Sequence, residues 1–461
     1  MSIQAPEQTR TVLPTLPGPP TAKADIDYEL FLDCVHCGLC TSSCPTYVET
    51  GDENDSPRGR IYLMRAVTDG RLDLTEQVKG HLDLCLDCRA CETACPSGVQ
   101  YGKLIEPFRI HLHEIGESKE KLSWLKRLLL YGFTPYAGRM RWALAPARFL
   151  QWTGLDALMR KTGLLRLLPK TLRDIHGMLP PLKPHHGRLP DFLPAEGPRR
   201  ARVALFTGCA ADAMFPETTV HTAWVLQKNG CDVWIPRNQV CCGALHYHAA
   251  REGPAQAFGQ ENCRAFLPDG SARQKSNPSG LPTLPEVDAI ISNAAGCGAM
   301  LKDYGHLLHN TPLAKAGEQF AHKVKDISEF LYDLGPIKPK HPLPIKAVYH
   351  DACHLCHAQQ IRKQPRQLLE MIPGLQLVPL NESELCCGAA GSYNLTQPDM
   401  AERLGLRKAD NLLATGAEAI FAANVGCLLQ IGRYLRERKP GLWIAHPIDA
   451  LWASYSGKPV R

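Results

Sequence analysis

Beyond residue 200 the chain is punctuated by short runs that are apolar almost throughout. "ARVALFTGC", "VDAIISNAAGC", "IKAVYHDAC" and "AEAIFAANVGC" each climb through Val, Ile, Leu, Phe or Ala and end on a cysteine. Runs without polar alternation predict strands buried on both faces, as in a parallel sheet flanked by helices. Residues 104–180 differ. There Leu, Trp and Arg recur at helical spacing, as in "KLSWLKRLLLYGF" and "GLDALMRKTGLLRLL". A proline-dense linker, "LPPLKPHHGRLPDFLPAEGP", follows. Residues 26–110 read mostly helical. In "SPRGRIYLMRAV", Ser56 is placed to cap and Pro57 to open a helix, while Arg58 and Arg60 offer a second reading, as contacts to a cofactor or partner.

The strand-rich region repeats. Cys209 and Cys353 each close a strand run, 144 residues apart, and "CCGA" recurs 145 residues apart at Cys241–Ala244 and Cys386–Ala389. "AI…N…GC" recurs 130 residues apart at Ala289–Cys297 and Ala419–Cys427. Three cognate features in one order predict two copies of one α/β module. The shorter last offset fits an insert in the first copy, around "LPDGSARQKSNPSGLP". The expected architecture is α+β and multidomain: a flexible tail over 1–25, a helical domain over 26–110, a basic helical connector over 111–198, and tandem α/β modules over 199–340 and 341–461.

Composition and charge sharpen this picture. Nineteen cysteines among 461 residues is heavy usage. The Pro/Thr-rich first 25 residues lack the apolar core of a signal peptide, so a reducing, cytoplasmic compartment is expected, with cysteines serving metal or redox chemistry. No apolar run reaches membrane-spanning length. The net charge is +6, yet residues 121–200 alone hold 15 Lys+Arg against 4 Asp+Glu. A basic segment of Leu, Trp and Arg suits an acidic partner or an anionic membrane face as well as a plain solvated helix pair. Nucleic acid is not expected as a partner, because the basic residues sit within a helical core pattern.

The densest chemistry lies near the front. "CVHCGLCTSSCP" supplies Cys34, Cys37, Cys40 and Cys44, and "CLDCRACETACP" supplies Cys85, Cys88, Cys91 and Cys95. Structural zinc also accepts four thiolates, but this spacing, ending in Pro and used twice, is not a zinc-knuckle habit. C-x2-C-x2-C-x3-C-P resembles the runs by which bacterial ferredoxins hold [4Fe–4S] clusters, where the fourth cysteine serves the other cluster. That resemblance implies Cys34, Cys37, Cys40 and Cys95 on one cubane, and Cys44, Cys85, Cys88 and Cys91 on the other. The long spacer between the quartets implies intervening helices, as in the helical ferredoxin domains of succinate dehydrogenase-like subunits.

Each module offers a second kind of set: Cys209, Cys241, Cys242 and Cys297 in the first, and Cys353, Cys386, Cys387 and Cys427 in the second. Adjacent thiolates at strand ends suit a further iron–sulfur centre, shared between the modules or within one. Packing cysteines without metal, zinc, and redox thiols are the other readings. "YHDACHLCH" adds His350, Asp351, His354, Cys356 and His357, read first as polar or packing histidines and second as a zinc or iron site, with His354 the one to suspect near a cofactor or quinone head group. The sets resemble the cysteine-rich domain of heterodisulfide reductase-like proteins, except that Met300 and Gln430 stand where that motif has its final cysteine.

Taken together, "FLDCVHCGLCTSSCPTYVETGDENDSPRGRIYLMR", "QPRQLLEMIPGLQL", "ESELCCGAAGSYNLTQPDMAERL" and "GCLLQIGRYL" resemble the iron–sulfur subunits of glycolate oxidase. Related subunits serve anaerobic glycerol-3-phosphate dehydrogenase and lactate utilisation. The resemblance covers roughly residues 26–455. It implies two [4Fe–4S] clusters, FAD-containing oxidase subunits as partners, and electron delivery toward membrane quinone from the cytoplasmic face of the inner membrane. No dinucleotide fingerprint is present, so the chain is expected to conduct electrons and not to oxidise substrate. A lactate or glycerol-3-phosphate dehydrogenase subunit, or a heterodisulfide reductase-like thiol enzyme, is the alternative.

Overall fold

The computed structural model describes residues 26–116, 123–167, 169–182, 189–267 and 285–458. The expected flexible tail, and all but the first residue of the insert in the first module, lie outside the described residues. The first domain is helical, with short elements including Pro45–Thr50, Pro57–Thr68, Glu76–Asp83 and Gly102–Glu114. Phe31, Ile61, Met64, Leu82, Leu104, Ile105 and Phe108 are buried together at its centre. The capping reading of "SPRGR" holds. Ser56 Oγ accepts from Gly59 N at 3.0 Å, while Arg58 and Arg60 point back toward the cysteine loops.

Two sheets follow. The first contains β1 (Phe192–Leu193), β2 (Ala201–Phe206), β3 (Cys231–Trp234), β4 (Ala289–Ser292) and β5 (Val324–Asp326), in the order β1-β3-β2-β4-β5. The second contains β6 (Lys346–His350), β7 (Gln376–Val378), β8 (Ala419–Ala422) and β9 (Trp443–Ala445), in the order β7-β6-β8-β9. Setting aside β1, an antiparallel edge strand from the proline-rich linker, both sheets are parallel and run second-first-third-fourth. The repeat seen in sequence is thus a repeat of topology. Chain order reverses between β2 and β4, and between β6 and β8. A ligand crevice opens at such a switch point, beyond the carboxyl ends of the strands.

The modules share one core. Val203, Leu205, Val225 and Leu226 of the first are buried in the same cluster as Ala347, Tyr349, Phe421 and Leu451 of the second. Helices Pro216–Lys228 and Pro447–Ser456 pack across this seam. Its polar centre is Asp449, which accepts from Thr218 Oγ1 at 3.0 Å and pairs with His221 Nδ1 at 2.8 Å, all three residues buried. Asp449→Ala would strand both partners in the seam, at about 1–3 kcal/mol for each unsatisfied group. The expected outcome is a lower apparent Tm with both modules melting together. An unchanged Tm would show that the apolar core alone fixes the seam.

Candidate metal centres

The two ferredoxin-type loops share one backbone. In the first, His36 (φ 53°) and Gly38 (φ 83°) are left-handed; in the second, the matching Asp87 (φ 52°) and Arg89 (φ 61°) are too. This alternation curls three cysteines of each loop around a common centre. A non-glycine residue there costs on the order of 1–2 kcal/mol, so Arg89 needs compensation where its twin is glycine. It has three partners: Asp87 Oδ1 at 2.8 Å, Glu106 Oε2 at 2.8 Å and Glu92 Oε1 at 3.4 Å.

The cysteines border two neighbouring recesses. Cys34, Cys37, Cys40 and Cys95 line one of about 410 Å³, open to solvent beside Cys37. Cys44, Cys85 and Cys88 line the other, of about 310 Å³. Cys91 lines both. The fourth cysteine of each run therefore stands at the recess of the other run's first three.

The surroundings suit anionic sulfur. Arg60, 1% exposed, donates from Nε to His81 O at 2.6 Å and from Nη2 to Thr46 Oγ1 at 3.0 Å, and its Nη1 lies 3.9 Å from Cys44 Sγ. Asp55 balances it at 3.6 Å. Tyr101 Oη and Asp87 N both donate to Cys85 Sγ, at 3.6 and 3.4 Å. Arg58 ties the other loop, donating to His36 O at 3.1 Å while gripping Glu53 with two nitrogens. Burial pushes the Cys40 thiol up to about 11 and holds those of Cys88 and Cys91 well above the usual thiol range. Binding a metal here therefore releases protons.

The second loop is also where the α/β modules dock. His248 of the first module lies 3.1 Å from Glu106 and 3.2 Å from Asp87, and its ring stacks on that of His354 of the second. Burial opposes charge on His248, but the two carboxylates outweigh it and raise its pKa to about 9. Burial, then Asp87, raises Glu106 to about 7. From the second module, His357 Nδ1 meets Thr93 Oγ1 at 3.1 Å, and Tyr393 Oη donates to Leu84 O at 2.8 Å. Cys88 shares one buried cluster with Cys353 and Cys386.

In the modules, the strand ends gather each cysteine set within its own copy. Cys209 Sγ and Cys241 Sγ are 3.5 Å apart; Cys353 Sγ and Cys386 Sγ are 3.9 Å apart. Cys297 sits in the helix after β4, and Cys427 in the helix after β8. The glycine of each Cys-Cys-Gly is left-handed, and a Cβ at Gly388 would meet Ala401 O at 2.8 Å, so the turn admits no side chain. Met300 and Gln430 are buried. Cys356 turns its thiol toward Cys353 O, at 3.8 Å.

His354, expected nearest a cofactor, stacks on His248, and burial lowers its pKa to about 3. It is His350, at the end of β6, that joins Cys387 and Cys427: the three ligand atoms lie within 4.8 Å of one another. Sequence reasoning noted His350 only as part of a histidine-rich string. Its signal was its register, the last strand residue before the ligand turn. Lys408, buried under the same thiols, gave no signal beyond a lysine in a helical pattern.

Known proteins share these features. Residues 31–99 match the model of the 4Fe-4S dicluster domain, and residues 203–302 and 347–432 that of the cysteine-rich domain. Residues 121–179 match the linker region of glycolate oxidase iron-sulfur subunits. The chain is 39% identical to the probable glycolate oxidase iron-sulfur subunit of Bacillus subtilis, over 89% of this chain and 90% of that protein. It is 35% identical to the glycolate oxidase iron-sulfur subunit of Escherichia coli, over 86% and 88%. Lactate utilization protein A of Shouchella clausii is 29% identical over 54% of this chain and 98% of its own length.

The charge lattice beneath the second loop gives a pH-dependent prediction. Arg89→Leu leaves Asp87 and Glu106 with only His248 as a buried cation, a loss of up to about 3–5 kcal/mol where both are ionised. Glu106 has a raised folded-state pKa, so the penalty is largest above about 7 and shrinks as it protonates below. Apparent Tm values of variant and parent, compared at roughly pH 5.5 and 8.5, should diverge more at the higher pH. An equal gap at both would remove Glu106 from this account.

Proposed function

The chain belongs to the glycolate oxidase iron–sulfur subunit family, and we propose that it carries electrons from flavin subunits oxidising glycolate to glyoxylate toward membrane quinone. The observation that supports this most directly is the pair of adjoining recesses, each bordered by the first three cysteines of one run and the fourth of the other, with Cys91 at the boundary of both. On this reading Cys34, Cys37, Cys40 and Cys95 hold one [4Fe–4S] cluster, and Cys44, Cys85, Cys88 and Cys91 hold the second. When bound, such clusters supply one-electron exchange. The protein's part is to fix the thiolates, offset their charge with Arg60, donate to Cys85 from Tyr101 and Asp87, and exclude water around Cys44, Cys85 and Cys88. Glycolate oxidation is a two-electron event needing an organic acceptor, hence the FAD-containing partners.

The connector is the surface we assign to an anionic membrane. Among the described residues no helix is long and apolar enough to cross one. The connector instead exposes Trp124 (76%), Trp142 (76%) and Trp152 (81%), together with Phe149 and Leu158, in the segment with the chain's basic excess. Aromatic side chains among Lys and Arg are the composition of an interfacial anchor. On this reading the chain works at the cytoplasmic face of the inner membrane.

Two outcomes test the proposal. In the complex assembled with its flavin subunits, glycolate should reduce two cubane EPR signals, and the chain alone should give no glycolate turnover. Cys44→Ala should remove the signal of the cluster at Cys85, Cys88 and Cys91, with about four irons lost per chain. Loss of the cluster at Cys34 would overturn the crossed ligation. Separately, the complex should sediment with phosphatidylglycerol vesicles and not with phosphatidylcholine. At about 1.5–3 kcal/mol per buried aromatic, replacing Trp124, Trp142 and Trp152 by Ser should weaken that binding well beyond tenfold. Unchanged sedimentation would assign the connector to a protein partner instead.

A further inference from the structure

The two α/β modules share a topology but not the residues around their thiols. Phe206 ends β2 as His350 ends β6, and each precedes the first cysteine of its set by three residues. Seven residues beyond the alanine packed under each Cys-Cys-Gly turn stands Asn262 in the first module and Lys408 in the second. Asn262 is a neutral tie, accepting from Val240 N at 2.9 Å and donating to Cys241 O at 3.0 Å. Lys408 is a cation, 1% exposed, whose ammonium donates to the main-chain carbonyls of Glu382 and Ser383. The first module thus surrounds its cysteines with a phenyl ring and an amide, the second with an imidazole and an ammonium.

His350 is the informative difference. It is fully buried, and its Nδ1 lies 3.1 Å from Ser383 O, which fixes the proton there and leaves a bare lone pair on Nε2. Among the described residues Nε2 has no hydrogen-bond partner. An imidazole nitrogen stranded in a core costs about 1–3 kcal/mol. A ring nitrogen of His350 and the sulfurs of Cys387 and Cys427 all lie within 4.8 Å of one another, and with Nδ1 engaged by Ser383 O it is Nε2 that is free to ligate. Ligands bound at about 2.3 Å (sulfur) and 2.0–2.1 Å (nitrogen) to one ion stand on the order of 3.5–4.4 Å from each other. A carbonyl holding one imidazole nitrogen while the other is left without a partner, in a ring set beside two thiols, is the outer-shell arrangement of a metal-ligating histidine.

We propose that the second module alone holds an iron centre on Cys353, Cys386, Cys387 and Cys427, with His350 Nε2 as an additional ligand. The histidine compensates for the absent final cysteine, whose place Gln430 takes. Imidazole in place of thiolate makes a centre less anionic and raises its potential, and the Lys408 ammonium acts in the same direction. Cys88 is clustered with Cys353 and Cys386, so an electron enters from the neighbouring ferredoxin-type loop, with no bond made or broken. Only this redox role rests on the function proposed above; the ligation does not.

The test uses the full chain purified anaerobically, its iron quantified and its EPR and nitrogen hyperfine spectra recorded during a reductive titration. Expected are the two cubane signals, iron in excess of both, and a third signal with imidazole ¹⁴N coupling. His350→Phe, which installs the first module's residue, should abolish the third signal and the excess iron while the cubane signals persist. His350→Cys should keep the iron, lose the nitrogen coupling and shift the third midpoint potential downward. The inference is overturned if the coupling survives either variant, if the excess metal is zinc, if Cys242→Ala in the first module removes the same signal, or if cubane signals appear with no third. Absence of the cubane signals themselves would instead count against the function proposed above.

Discussion

Sulfur that must become anionic inside a low-dielectric interior needs a cation or a donor beside it, and the cysteine sites of this chain are arranged around that constraint. Arg60 is the central instance. A buried guanidinium is costly by several kcal/mol unless its charge is met, and here it is shared between Asp55 and the sulfur of Cys44. The same side chain holds His81 O and Thr46, so the helix after Cys44 and the helix before Cys85 are bound to one group. That links the two cysteine runs before any metal is considered. It also explains why the segment between them is helical and long. The spacer must carry Arg60 into the core from one side and return Cys85 from the other.

Much of this was legible in the sequence. The apolar runs gave the central strands, because a strand buried on both faces leaves no polar position to disguise it. The repeated cysteines gave two modules, and the structure adds that their strand orders match. Ser56 was readable as a cap because capping is a local interaction, settled within three residues. The role of Arg60 was not readable as a geometry, since its partners lie 5, 14, 16 and 21 residues away and only the fold collects them. The shared core of the two modules was invisible for a related reason. An amphipathic helix declares that one face is covered, not whether its own sheet or a neighbour covers it. β1 escaped notice because two residues in a proline-rich linker carry no periodicity.

His350 and His354 stand four residues apart in "YHDACHLCH" yet meet different surroundings. At the carboxyl end of β6 His350 projects beside the thiols across the switch point, whereas His354 begins a helical turn that carries its ring away onto His248. Four residues along a chain that changes from strand to helix are enough to separate the two environments.

The first module, poorer in charge around its own cysteines, is rich in it elsewhere. Its His248 meets Asp87 and Glu106, and Asp303 adds to the field at Arg89. These contacts hold the second ferredoxin-type loop, where the left-handed Arg89 would otherwise sit at a conformational cost. Duplication therefore produced two different tools from one topology. One copy braces the loop through a charge lattice and keeps its cysteines in an apolar pocket. The other lays its cysteines against Cys88 and surrounds them with an imidazole and an ammonium. A brace must be rigid, and the electron acceptor proposed for the second module must be close. A single module docked on one side of the loop would have to compromise between those demands, whereas two modules sharing a core meet both from a fixed frame.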